Sequence, residues 1–440
     1  MDKSKAVPKA LIFCCFFYAE TQAVFAGGYE IAEQTARGIG LANAITAGVD
    51  DPSAVFINPA ALAEIFGNQI MGGAHYINTI SGIKNGGRNS RNTHDDAFLP
   101  NLFANYQIPD SNFVVGIGSY APFGLATGYK ETSFTRFAAI RSELKTLYVT
   151  PAVAWKPNSF LSVGGGISFV HSSALLSQAL FLGAIGVGEG KLKIEDSDNA
   201  FGYNFGVLVK PHEQIKVGVT YRSRVDLAFN SADVRFRDAL VTGGASVKVG
   251  GRAIHVPIPP VINAGIQWQI SPEWTAELDY KFTRWSEFEN LRVRFTSPLP
   301  ALGGAVPISA LLIPQDWRDA SSVRFGASYK LNQNVELRGG ISLDESPIPS
   351  KSLSPAIPGA NLLGLQGGVG YAWRNLAIDF GYVALFYKSR RVSNNVLEGT
   401  NITAFAGGVP LPSLTPPGLT GRDKYENFMN MISLHARYRF

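Results

Sequence analysis

Residues 274–283 read Trp-Thr-Ala-Glu-Leu-Asp-Tyr-Lys-Phe-Thr, and their alternation decides the class of fold. Trp274, Ala276, Leu278, Tyr280 and Phe282 project to one side of an extended chain, and Thr275, Glu277, Asp279, Lys281 and Thr283 to the other, because successive strand side chains point to opposite faces. The same period recurs upstream, where Ile215, Val217, Val219 and Tyr221 oppose Lys216, Gly218, Thr220 and Arg222. It recurs again at the end, where Ile432, Leu434, Ala436, Tyr438 and Phe440 oppose Met431, Ser433, His435, Arg437 and Arg439. In water such a sheet packs its apolar face on a core, so segment length and connections must decide between water and lipid. The pattern predicts strands at 68–78, 98–108, 112–122, 144–156, 159–173, 199–211, 214–225, 258–271, 273–286, 319–330, 334–345, 361–373, 375–388 and 427–440. Fourteen is an even number, and each segment is long enough to cross a bilayer at a tilt. The connections alternate. Turns at Pro109-Asp110-Ser111, Pro157-Asn158, His212-Glu213, Pro272, Asn332-Gln333-Asn334 and Arg374-Asn375 are minimal, whereas the intervening loops run from 346–360 up to 389–426. A transmembrane barrel has this asymmetry, and closure leaves no unpaired strand edge in hydrocarbon. The expected fold is an all-β transmembrane barrel of fourteen antiparallel strands over residues 68–440.

Composition agrees. Of 440 residues, 46% are hydrophobic and only 17% charged, below the roughly 25% usual for soluble domains, yet mean hydropathy is +0.06. No apolar run of helical membrane-spanning length follows the N-terminus, which excludes a helical bundle, and the apolar content excludes disorder. Lys3, Lys5 and Lys9 precede the apolar stretch Ala10–Ala19, and Val24-Phe25-Ala26 offers a cleavage site, so residues 1–26 read as a secretory signal peptide. Both cysteines, Cys14 and Cys15, fall in it, leaving a mature chain without thiol or disulfide chemistry. Its 36 basic against 32 acidic residues give +4, too thin an excess for nucleic acid. The chain lacks a G-x-S-x-G elbow, an H-E-x-x-H helix and a phosphate-cradling G-x-x-x-x-G-K, and its six histidines are scattered. No catalytic residue, metal ligand or cofactor is expected.

Residues 27–67 break the strand pattern and read as a small-residue, partly helical hatch inside the barrel. Asp51 or Ser53 can cap a short helix, and Pro59 suits a first helical turn after Asn58. Gly38-Ile39-Gly40, Asp50-Asp51-Pro52-Ser53 and above all Asn58-Pro59-Ala60 resemble the N-terminal hatch of the long-chain fatty acid outer-membrane transporter family, FadL with its aromatic-hydrocarbon relatives. Further similarities are Tyr120-Ala121-Pro122-Phe123-Gly124-Leu125, Tyr221-Arg222-Ser223, Trp274 with Trp285-Ser286, Asp316-Trp317-Arg318-Asp319, and Leu337–Ile341 leading to Asp344-Glu345-Ser346-Pro347. The resemblance covers essentially the whole mature chain apart from loops 226–257 and 389–426.

The resemblance implies passive uptake of hydrophobic compounds, long-chain fatty acids first and aromatic hydrocarbons as the alternative, across the outer membrane of a Gram-negative bacterium. It implies gating by the hatch at Asn58, Pro59 and Ala60, and lateral exit where strand three kinks at Ala121, Pro122, Phe123 and Gly124. Residue chemistry supplies the rest. Pro122 cannot donate a ladder hydrogen bond and Gly124 weakens pairing, so either a kink or the strand's end is expected there. Leu175, Leu176 and Leu180 would give an exposed loop helix an apolar capture face, with 306–314 as a second apolar loop. Arg222, Lys281, Arg324 and Arg338 face the polar side and are candidate partners for a ligand carboxylate, or ordinary lumen ion pairs. Phe440 closes an alternating strand of the form read by the barrel-assembly machinery. Expected surroundings are outer-membrane lipid and lipopolysaccharide, with the chain a monomer. A surface adhesin or receptor using the long loops is the competing reading.

Overall fold

The structure, a computed structural model, describes residues 27–93, 96–181, 189–238, 246–252, 254–301, 306–392, 403–406, 409–410 and 423–440. The signal peptide reading lies outside these residues, as does most of the last outer loop.

Fourteen strands cross the barrel wall: β1 Gln69–Asn85, β2 Asp96–Gln107, β3 Phe113–Tyr120, β4 Arg141–Trp155, β5 Leu161–Phe181, β6 Glu189–His212, β7 Ile215–Arg222, β8 Val261–Gln269, β9 Trp274–Thr283, β10 Ala320–Lys330, β11 Val335–Asp344, β12 Leu362–Trp373, β13 Leu376–Tyr387 and β14 Asp423–Arg439. Each pairs antiparallel with its neighbour in sequence, and β14 returns to β1 over a register running from Gln69↔Arg439 to Lys84↔Lys424. The wall is therefore closed, each strand pairing with one neighbour on either side over at least part of its length. Hairpins at one end need only two residues at Glu213–Gln214 and at Arg374–Asn375, where Arg374 takes a left-handed φ of 54°.

The alternating faces separate as the pattern requires. On β9, Trp274, Leu278 and Tyr280 are exposed outward, and Glu277, Asp279 and Lys281 are buried inward. Trp155, Trp268, Trp373, Tyr76 and Tyr106 are likewise exposed, as interfacial aromatics should be. Trp285 departs from this group. Although its position beyond a strand end suits an interfacial girdle, it is fully buried among Tyr29, Phe123 and Trp317, because the chain turns inward over a 3-10 turn at Trp285–Glu287. Tyr387 is half-buried against the core.

The apolar stretch around Leu175–Leu180 is strand, not loop helix. β5 and β6 continue as a hairpin, paired as far as Phe181↔Glu189. Backbone pairing along this hairpin satisfies the same groups a helix would, and it continues into Ala232–Asp238 and Ser246–Arg252. The 306–314 stretch is also extended, paired with Asn290–Ala301.

Candidate functional site

Inside the barrel, residues 27–67 form short helices, α1 Ala36–Gly40 and α2 Ala54–Ile57, then a 3-10 helix Pro59–Glu64. Thr35 caps α1 by accepting from Gly38 N–H at 2.9 Å. Asn58 does more than cap. Its Oδ1 accepts from Ala60 N–H at 3.2 Å, while its Nδ2 donates to Thr46 O at 2.8 Å and to Val207 O on β6 at 3.4 Å. Pro59 sits at the first helical position, where its missing N–H has no partner to lose.

The wall beneath this turn is made of glycine. A Cβ on Gly206 would lie 2.1 Å from Asn58 Oδ1, one on Gly164 would lie 2.5 Å from the Pro59 carbonyl, and one on Gly218 would lie 2.6 Å from Thr46 O. Gly164-Gly165-Gly166, a run within a strand that reads from sequence as lumen-facing relief for close packing, thus includes part of the seat of the hatch.

Two carboxylates hold the hatch from the other side. Asp279 Oδ2 accepts the N–H groups of Ile45 and Thr46 at 3.1 and 2.9 Å, and Glu277 Oε1 those of Ala47 and Gly48 at 2.6 and 3.2 Å. Four consecutive backbone donors, which a short irregular segment cannot satisfy internally, thus find carboxyl oxygen acceptors on β9. A third attachment joins α1 to the β1–β2–β14 wall. His435 Nδ1 accepts Ala36 N–H at 3.2 Å, and Asn101, hydrogen-bonded to both His75 and His435, donates to Gln34 O at 2.7 Å.

The third strand is interrupted where Pro122 sits. β3 pairs with β4 up to Tyr120↔Tyr148, and pairing resumes at Gly124↔Lys145 and runs to Gly128↔Arg141. Four steps along one chain match three along the other, so one residue is extra and the strand bulges, as the missing donor of Pro122 favours. Pro122 therefore does not end the strand at the outer rim. On the far side β2 pairs with β3 only from Gln107 to Leu102, so among the described residues Asp96–Asn101 have no β3 ladder partner.

The start of the hatch occupies the break. Ile31 N–H donates to Pro122 O and Gly124 N–H to Tyr29 O, both at 2.8 Å, with Glu30 opposite Phe123. The Gln34 amide bonds both the N–H and the O of Ala121, at 3.3 and 3.1 Å. Backbone groups that the interruption would strand are thus satisfied by residues 29–34.

Tyr29 also borders an apolar cavity of about 130 Å³ toward the outer end, walled by Leu125, Leu144, Leu175, Leu176 and Phe229 among others. Its hydroxyl donates to Pro257 O at 2.5 Å, and its ring packs edge-on against Trp285 with centroids 4.7 Å apart. Burial raises the Tyr29 phenol well above its ordinary value, so it stays neutral. Leu175 and Leu176 line this cavity and Leu180 is buried. In the strand Leu176 and Leu180 share one face and Leu175 lies on the other, so the three do not form the helix face that their spacing suggests.

None of the four candidate cations reaches the cavity. Lys281 pairs with Glu30 at 2.8 Å, Arg324 with Asp344 at 3.2 Å, and Arg338 with Asp379 at 2.5 Å and Glu336 at 3.2 Å. Arg222 has no ion pair among the described residues. It lies 4.1 Å over the Phe56 ring and donates to Phe56 O at 3.3 Å. Arg222, Lys281 and Arg324 instead border a separate pocket of about 40 Å³ against the hatch. Sequence reasoning missed Glu30, Gln34, Glu277 and Asp279 as hatch contacts. The signal available was two inward carboxylates two positions apart on β9 facing an amide-rich, irregular segment.

The family model of the outer membrane protein transport proteins (OMPP1/FadL/TodX) matches residues 17–440. The chain belongs to this family. Outer membrane protein P1 of Haemophilus influenzae is 24% identical over 82% of this chain and 86% of its own length. The long-chain fatty acid transport protein of Escherichia coli O6:H1 is 24% identical, covering 92% and 96%. A Pseudomonas aeruginosa FadL homologue superposes with a TM-score of 0.78 at 20% identity over 94% of this chain and all of its own, and the P. putida toluene transporter TodX with 0.69 at 17% over 94% and 99%. The protein is thus an outer-membrane β-barrel transporter of hydrophobic compounds, not an enzyme.

Proposed function

We propose that this FadL-family barrel takes up hydrophobic molecules by capture on its outer strands, displacement of the hatch, and lateral exit through the interruption of β3. The observation that carries the reading is the position of Tyr29, which borders the apolar cavity while its backbone, with Ile31, bonds the broken strand at Pro122 and Gly124. A ligand that moves this segment exchanges cavity contacts for strand contacts in one step, and the freed gap between β2 and β3 faces lipid. An apolar solute gains by leaving sideways, since hydrocarbon receives it more favourably than water by about 25 cal/mol per Å² of surface.

Long-chain fatty acids and aromatic hydrocarbons both satisfy this route. Labelled oleate and labelled toluene, presented to cells carrying the protein at matched surface abundance, measure it. Asn58→Ala and Pro122→Ala are each expected to lower the initial uptake rate several-fold. Uptake unaltered in both variants would contradict hatch gating and lateral exit together.

A further inference from the structure

The chemistry of the cavity wall is more specific than apolarity. Among the described residues its lining contains no Lys, Arg or His, and its only carboxylates are Glu143 and Asp196. Glu143 is already paired with Arg141 and Lys145, and Asp196 accepts the N–H groups of Ser197 and Ser231. An adjoining pocket of about 400 Å³ shares Glu143 and Asp196 and adds Glu195, Asp233 and Lys145. Glu195 and Asp233 find their own cations in Lys193, Arg235 and Lys248. An ionised carboxylate placed here meets no uncommitted cation, and burying it unpaired is costly.

Two polar groups in the lining remain unspent. Ser142 Oγ on β4 and Gln178 Nε2 on β5 are buried without a hydrogen-bond partner, and both residues border the cavity. Ser142 is registered opposite Leu176, and Gln178 lies two positions further along the same face of β5. Such diagonal neighbours sit about 7–8 Å apart, so one ligand group can reach both. A buried donor left unmade costs about 1–3 kcal/mol, which a ligand supplying the missing acceptor would recover. Size narrows the class further, since a cavity of about 150 Å³ in another protein accommodates benzene and this one measures about 130 Å³.

We infer that the cavity binds an uncharged, ring-sized hydrophobic molecule carrying one hydrogen-bonding group, received by Ser142 and Gln178. This rests on the uptake reading and names its ligand class. Toluene, p-cresol and p-toluate share one ring and differ only in carrying no polar group, a neutral hydroxyl (phenols titrate near ~10) or a carboxylate. Equilibrium dialysis of the three against the purified full-length barrel at neutral pH, corrected for empty detergent micelles, ranks them. The expected order is p-cresol several-fold tighter than toluene and at least tenfold tighter than p-toluate. Ser142→Ala and Gln178→Leu, checked for folding by heat-modifiable gel migration, should bring the p-cresol to toluene ratio close to one. Binding of p-toluate equal to or tighter than p-cresol overturns the inference. So does equal binding of p-cresol and toluene by the wild-type barrel, an unchanged ratio in both folded variants, or no saturable binding by any of the three. If oleate or toluene still enters cells through the protein, any of these outcomes defeats the ligand class alone. Failure of the uptake assay defeats the transport reading itself.

Discussion

Glu64 ties the base of the hatch to β5, to β6 and to the turn after β4. Its carboxylate accepts from Lys156 and Lys210 and, at 2.9 Å, from Ser162 Oγ. Burial pushes its carboxyl up, but the two ammonium groups and the hydroxyl outweigh that and hold it below the usual carboxylate range. A depressed folded-state value contributes stability that is fully present above the unfolded value, near ~4.3, and is lost as pH falls through the folded one. The Pro59–Glu64 helix should therefore exchange its amides faster, relative to barrel strands, once the medium drops below about pH 4. Glu64→Gln should show that fast exchange already at neutral pH and lose the acid-dependent step, measured by hydrogen exchange with mass spectrometry. At this scale the sequence was informative where one residue's chemistry is local. Asn58-Pro59 as cap and first turn, and Pro122 as strand breaker, follow from their own covalent structure. The partners of Glu64 and Lys281 did not, since the ion pair between Glu30 and Lys281 joins positions far apart in the chain.

At the scale of elements, the hatch is a segment with little internal structure held by its surroundings. The four amides from Ile45 to Gly48 depend on Glu277 and Asp279, and a hydrogen bond typically contributes about 0.5–1.5 kcal/mol. Glu277→Ala with Asp279→Ala removes both acceptors of these amides. These amides are then expected to exchange at least tenfold faster, with β9 itself unchanged, and equal protection in the double variant would remove the clamp from the account. The glycine seat gives a steric counterpart. Gly206→Val places carbon where Asn58 Oδ1 lies 2.1 Å from even a Cβ, so the Asn58 turn must lift, and a limited-proteolysis site should appear in residues 27–67 of a barrel that still assembles. Strand positions were readable from period two, because every wall strand separates lipid from lumen. The outward continuation of β5 and β6 was not. Above the membrane both faces meet protein or water, the alternation fades, and Leu175-Leu176 with Leu180 fits helical spacing as well as a paired strand.

For the molecule as a whole, a closed fourteen-stranded wall with residues 27–67 docked inside gives a barrel whose lumen is occupied. Planar bilayers should show little steady conductance for the intact protein and a large rise when residues 27–67 are removed from it. A steady open conductance in the intact protein would count against an occupied lumen. The central claim is narrower, that the segment at Tyr29–Ile31 must leave the break in β3 for transport to occur. The mature chain expected from the sequence has no cysteine, and Glu30 and Phe123 face each other across a two-residue antiparallel bridge. Close, non-hydrogen-bonded pairs of this kind accept a disulfide. Glu30→Cys combined with Phe123→Cys can therefore be locked and released, with Glu30→Cys alone controlling for the lost Lys281 pair and Phe123→Cys alone for the lost ring. Uptake of labelled substrate should be abolished in the oxidised double variant and restored by reductant to the level of the single variants. Equal uptake before and after reduction, with the crosslink verified by mass, would contradict the account.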